Sequence, residues 1–145
     1  MKKVIVSVKG RSGPGEEGRM ELITEGKLYK KEKSFYVSYK ETGVTGMEGT
    51  TTTLKVEENK VTLIRQGTVA STFVFEEGKE NISHYVTEYG VFTVGVKAER
   101  IDSAMDEHGG IVAVSYSLDM FEKEQNEFIM TVREVENDGY NSEGQ

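Results

Sequence analysis

Apolar and polar side chains alternate with a period of two along almost the whole chain, and this periodicity most limits what the chain can become. Successive side chains of a strand point to opposite faces, so alternation marks sheet with one buried face, whereas a helix repeats about every 3.6 residues. Val4, Val6 and Val8 share one face of a first strand, and Met20, Leu22 and Thr24 share one face of a second. Phe35, Val37 and Tyr39 follow, then Val61, Leu63 and Arg65, then Phe73 and Phe75. Further along come Ile82, His84 and Val86; Phe92, Val94, Val96 and Ala98; Val112, Val114, Tyr116 and Leu118; and, after Asn126, Phe128, Met130 and Val132. Residue choice agrees with the pattern: 17 Val, 7 Ile and 13 Thr stand against 4 Ala and 5 Leu. β-Branched side chains suit a pleated surface, and Ala and Leu are the usual helix builders.

Short polar turns punctuate the strands at Lys31–Lys33, Glu57–Lys60, Glu77–Lys79, Glu88–Gly90 and Asp106–Gly110. Strands spaced about 8–12 residues apart indicate a sandwich or barrel. Turns this short make sequence neighbours pair antiparallel, and closing so long a meander removes its exposed edges. The expected fold is therefore all-β: a single antiparallel up-and-down β-barrel of about 8–10 strands spanning residues 1–136. Residues 137–145, NDGYNSEGQ, read as a polar, frayed tail. Two glycine-rich connections interrupt the alternation, Gly10–Gly18 and Thr42–Gly49, and Gly26 suggests a bulge or bend. Asp119–Gln125 has room for one helical turn at most.

Composition excludes several chemistries. With no cysteine there is no disulfide framework, thiol catalysis or Cys-ligated metal. A net charge of −7 opposes non-specific nucleic-acid binding, which needs cations to displace counterions. The apolar start Val4–Val8 is too short for a signal core, and no run approaches the roughly 20 apolar residues of a spanning helix. The chain reads as cytoplasmic, with neither membrane nor nucleic acid as partner. Its oligomeric state is not encoded in any readable pattern.

The block Leu22–Gly67 carries ITEG and TGMEGTTTTLK, and farther on come YGVFTVGV at Tyr89–Val96 and GGIVAVSYSLD at Gly109–Asp119. In that order these words resemble the YwiB-like family, the DUF1934 domain, over roughly Lys2 to Val135. The resemblance implies a small bacterial protein of Firmicutes type with a β-barrel similar to lipocalins and other calycins. It implies no activity and no site residues.

A small barrel either fills its interior with side chains or holds one small ligand, so polar residues on inward positions are the informative ones. Parity places Glu41 with Val37 and Tyr39, Arg65 with Val61 and Leu63, His84 with Ile82 and Val86, and Tyr116 with Val112 and Val114. An inward arginine needs acceptors, because a buried unpaired charge is very costly. Arg65, Glu41 and His84 are thus candidates for a polar cluster facing a ligand head group, against the plainer reading that each sits at a strand end touching water. Met47, flanked by glycines with Glu48, makes the 43–49 loop a lid candidate over Thr51 and Thr53; a plain connection is the alternative. The ligand-binding candidates are Tyr39, Glu41, Met47, Arg65, His84 and Tyr116.

No catalytic set emerges. Gly10–Glu17 lacks the lysine and the helix start of a phosphate loop. Ser83 and His84 face opposite sides of their strand. His108 beside Asp106 and Glu107 cannot close a metal site alone. No cofactor or metal is expected. The leading reading is a lipocalin-like barrel for a small apolar or amphipathic molecule. The alternative is an interaction or assembly module with a filled barrel, using outer residues such as Ile23, Tyr36 and Tyr85. An enzyme of unrecognised class ranks third.

Overall fold

A computed structural model describes residues 1–13 and 18–135; the expected tail at 137–145 lies outside the described residues. The chain forms ten strands: β1 (Lys2–Ser12), β2 (Arg19–Lys31), β3 (Ser34–Lys40), β4 (Thr51–Val56), β5 (Val61–Gln66), β6 (Ala70–Phe75), β7 (Glu80–Thr87), β8 (Gly90–Asp106), β9 (Gly109–Asp119) and β10 (Lys123–Glu134). Each strand pairs antiparallel with its sequence neighbours, and β1 pairs with β10 to close the barrel. The closing ladder runs from Val4 opposite Glu134 to Ser12 opposite Asn126, so the first and last strands share most of their length. Closure satisfies the edge hydrogen bonds that an open meander would expose.

The alternation predicts the inner wall well. Val4, Val6, Val37, Leu54, Phe75, Val96, Val112 and Met130 are buried in one continuous core. Burying each such side chain contributes roughly 1.5–3 kcal/mol, which is what holds the meander in its register. Gly26 introduces no break, since β2 runs in register through it. It marks a close approach instead: a Cβ there would lie 2.6 Å from the Ser38 carbonyl oxygen and 2.8 Å from Val6 Cγ2.

Three local expectations need correction. The segment after β9 contains no helical turn; Met120–Glu122 form a tight turn, and β10 starts at Lys123 rather than at Asn126. The β1–β2 connection is shorter than the glycine spacing suggests, because β1 extends to Ser12 and β2 starts at Arg19. The third correction concerns β7, whose faces are reversed. Ile82, His84 and Val86 are exposed, while Ser83 is buried and Tyr85 packs edge-on against Phe73, with ring centroids 6.1 Å apart.

The cause is a seam between β6 and β7. Only Ala70–Val86 and Ser71–Tyr85 pair as a ladder there. Below them, side chains take over: Asn81 Nδ2 donates to the Val74 carbonyl at 3.1 Å, and Ser83 Oγ donates to the Thr72 carbonyl. Carbonyls that the ladder leaves unpaired at this partly buried seam are satisfied by side-chain donors instead. Polar Asn81 and Ser83 supply one only from the seam-facing side, and that requirement turns His84 and the apolar pair Ile82 and Val86 outward. Tyr85, expected on the outer face, therefore belongs to the interior.

In β8 a bulge between Ala98 and Arg100 shifts the register by one residue, so the inward set changes from Val94, Val96 and Ala98 to Ile101 and Met105. The connections β1–β2, β3–β4, β5–β6, β7–β8 and β9–β10 all lie at one end, which forms the mouth discussed next.

A candidate ligand cavity at the barrel mouth

Tyr39 lies near the end of β3, Arg65 near the end of β5 and Tyr116 near the end of β9, all at the mouth. There the core stops short of filling the barrel and leaves a cavity of about 170 Å³. Five of the six candidate residues line it: Tyr39, Glu41, Met47, Arg65 and Tyr116. His84 is not among them, because the reversal of β7 puts it on the outer wall. Apolar side chains from Val8, Leu22, Leu63, Phe128 and Met130 complete the wall. Depressions of about 430 and 570 Å³ also occur, and both are lined largely by polar and charged side chains such as Lys9, Arg11, Arg19, Glu99, Gln125 and Glu127.

Strand register builds the polar wall. Tyr39 stands opposite Thr52, Thr52 opposite Arg65, and Arg65 opposite Ser71, so four inward residues form one row across β3, β4, β5 and β6. Thr50, just before β4, and Thr52 within it are buried, whereas Thr51 and Thr53, the expected pair, point the other way. The parity of Leu54 and Val56, both buried, carries the signal that Thr52 faces in.

Glu41 is 5% exposed, yet its carboxylate is well supplied with donors. Thr45 Oγ1 donates to Oε1 at 2.9 Å, and Thr52 Oγ1 donates to Oε2. The Glu41 amide donates to the Thr50 carbonyl at 2.8 Å. The 42–49 loop is folded back on itself by Thr45 N to Thr42 O and Gly46 N to Gly43 O, each 3.2 Å, and by Thr50 N to Met47 O at 3.1 Å. Buried Thr50 Oγ1 accepts from the Val69 amide at 3.1 Å, tying this loop to the β5–β6 connection. The loop thus has a defined shape that brings Thr45 and Met47 to the cavity.

Arg65 differs from its neighbours. Its Nε is buried without a hydrogen-bond partner among the described residues, and so is the Oγ of its cross-strand partner Ser71. A buried polar atom left unpaired costs about 1–3 kcal/mol. Two such atoms on one cross-strand pair make the mouth the most under-satisfied place in the described chain.

The phenols have the opposite property. Burial pushes the Tyr39 hydroxyl well above the ordinary tyrosine range, helped by the Glu41 charge and opposed by Arg65. Burial likewise raises Tyr116, with Arg65 opposing and Glu124 adding to the rise. Both hydroxyls therefore remain protonated donors at neutral pH.

Among the described residues no group of three or more His, Asp or Glu is placed to hold a metal ion. His108 lies at the opposite end, where its Nδ1 is 2.8 Å from Glu134 Oε2 and its amide donates to Asp106 Oδ1 at 2.7 Å. The hydrogen bond from His108 is the main reason that Glu134 titrates below the usual carboxylate range. No described helix is long and apolar enough to cross a membrane.

Comparison with known proteins agrees with the barrel. The chain is 28% identical over 120 residues to the uncharacterized β-barrel protein YwiB of Bacillus subtilis (strain 168), covering 81% of this chain and 83% of that protein. The crystal structure of the Bacillus subtilis ywiB protein superposes with a TM-score of 0.81 at 23% identity, covering 93% of each chain, and this likeness shows the fold. The family model for DUF1934, a domain of unknown function, matches residues 6–132, nearly the whole barrel from β1 to β10. The chain therefore belongs to the DUF1934 family.

Proposed function

We propose that this protein is a cytoplasmic barrel that binds a small amphipathic molecule in the cavity at its mouth. The observation that carries the reading is the cavity of about 170 Å³, in which an apolar wall meets an Arg65 Nε without a partner among the described residues. Polar groups converging on an apolar pocket are the usual composition of a small-molecule site. The volume restricts the occupant. Drug-sized ligands occupy roughly 300–1,000 Å³, whereas an engineered cavity of about 150 Å³ takes benzene. The rest of the interior is filled by the core, so a long-chain lipid has no room to lie along the barrel axis.

Filling the space tests the reading. Val8 lines the cavity, and Val8→Phe projects a ring into it from β1. Native mass spectrometry of freshly purified protein is expected to detect a small adduct on the wild type and none on Val8→Phe, with circular dichroism confirming that both are folded. A folded Val8→Phe that keeps the adduct unchanged places the ligand elsewhere and sinks the proposal.

One observation favours a second, compatible reading as an interaction module. Tyr89 and Phe121 are 85% and 81% exposed, and Phe121 packs edge-on against Phe92 with centroids 5.8 Å apart, all at the mouth end. Exposed aromatic clusters are frequent at contact surfaces.

A further inference from the structure

We infer that the molecule held in this cavity is a compact carboxylate: one planar monoanionic head on an apolar body about the size of benzene. This inference rests on the ligand-binding reading and adds the sign, shape and size of the occupant.

The charges around the cavity decide the sign. Among the described residues four charged side chains line it: Arg11, Glu41, Arg65 and Glu127. Arg11 and Glu127 form an ion pair with each other at 3.2 Å. Glu41 has each carboxylate oxygen bonded to a threonine hydroxyl, one from Thr45 and one from Thr52. Arg65 is left over, with a buried Nε and no acceptor among the described residues. The missing partner is an acceptor. A cation would have to share Glu41 with its two hydroxyls and sit beside the Arg65 guanidinium, whose charge repels it. A neutral carbonyl would accept from Nε but would bring no negative charge to the guanidinium, and charge-assisted hydrogen bonds are the stronger ones.

The donors decide the shape. A guanidinium offers a planar fork of N–H groups that matches the two oxygens of a carboxylate. Tyr116 adds a hydroxyl donor to the same cavity, beside a Tyr39 hydroxyl already engaged by Glu41, and the Arg65 charge reaches both. Phosphate, larger and carrying more charge, would meet the Glu41 and Glu127 carboxylates that share the lining. The remaining wall decides the body. Val8, Leu22, Leu63 and Met130 present only hydrocarbon and thioether surface, and they bound a volume that admits one small ring or a short branched chain.

Three matched probes separate the possibilities: benzoate, benzamide and benzylammonium have similar bodies and differ in head group. Titration of the full chain, followed by backbone amide chemical shifts, is expected to show benzoate perturbing Leu63 and Tyr116. Benzamide should bind at least tenfold more weakly, and benzylammonium more weakly still. Arg65→Met should lose at least tenfold in benzoate affinity and clearly less in benzamide affinity, and Tyr116→Phe should lose less benzoate affinity than Arg65→Met. Benzamide or benzylammonium binding the wild type as tightly as benzoate overturns the carboxylate assignment but leaves the cavity a ligand site. Inorganic phosphate outcompeting benzoate also overturns it. If none of the three aryl probes shifts the cavity residues, both this inference and the ligand-binding reading fall. The wild-type comparison decides the matter even if a variant does not fold.

Discussion

Phe75→Ala is expected to lower the stability of the barrel by about 3–5 kcal/mol, the range for deleting a fully enclosed aromatic side chain. Phe75 has no exposed surface and is the largest of the fully buried side chains. Its ring meets Tyr116 at 4.8 Å, Phe128 at 5.9 Å and Phe73 at 6.5 Å between centroids. Tyr116 and Phe128 line the mouth cavity, so Phe75 supports the cavity from behind. Strands are held in place by the closed ladder and cannot collapse freely into the gap, which keeps the cost near the upper part of the range. For a chain of this length the loss corresponds to a fall of roughly 10–20 °C in Tm. Urea and thermal unfolding measure it, with Tyr89→Ala as the control; Tyr89 is 85% exposed, and its removal should stay within about 0.5 kcal/mol. A Phe75→Ala midpoint matching the wild type would mean that the aromatic cluster is not part of the load on the fold.

Alkaline pH is expected to destabilise the protein steeply from about pH 10 upward. Tyr39 and Tyr116 both have hydroxyl pKa values raised in the folded state, chiefly by burial. In the unfolded chain a tyrosine titrates near pH 10, so above that value the unfolded state sheds protons that the folded state retains. Stability then falls as pH rises, by about 1.4 kcal/mol per pH unit for each such tyrosine and about 2.7 for the two together. Below pH 10 both states hold the protons, and the two residues contribute no pH dependence. Tyr39→Phe should roughly halve the slope. Absorbance at 295 nm is expected to show two tyrosines ionising only with the loss of the β-sheet circular dichroism signal. Full ionisation of every tyrosine in a barrel that stays folded would contradict the burial of these two phenols.

Most of the fold was legible because burial on one face of a sheet forces a period of two. Val4, Val6 and Val8, or Val112 and Val114, have only one side on which their surface leaves water. The same logic put Tyr39, Glu41, Arg65 and Tyr116 on inward positions near strand ends, and Met47 in the loop above them. β7 was misread because its two alternating sets are nearly balanced. Ile82, His84 and Val86 look like a buried face, but the carbonyls of Thr72 and Val74 across the seam need the donors of Ser83 and Asn81. That need depends on how β6 and β7 splay apart, which no residue of β7 announces. Thr52 and Ser71 were missed for a different reason: nothing in a threonine or serine distinguishes wall from filler until register sets it opposite Arg65.

By itself, then, the sequence determined an antiparallel meander with one buried face, its turns, and the parity of its polar exceptions, because these follow from local geometry and the transfer of side chains from water. The tertiary structure decided what those exceptions do together. Closure of β1 on β10 made an interior, the packing of Phe75 and its neighbours filled most of it, and register aligned Tyr39, Thr52, Arg65 and Ser71 in one row. Volume and hydrogen-bond satisfaction are properties of the closed assembly and not of any segment. Only there does Arg65 stand out as a buried donor at the edge of a space that the core leaves open.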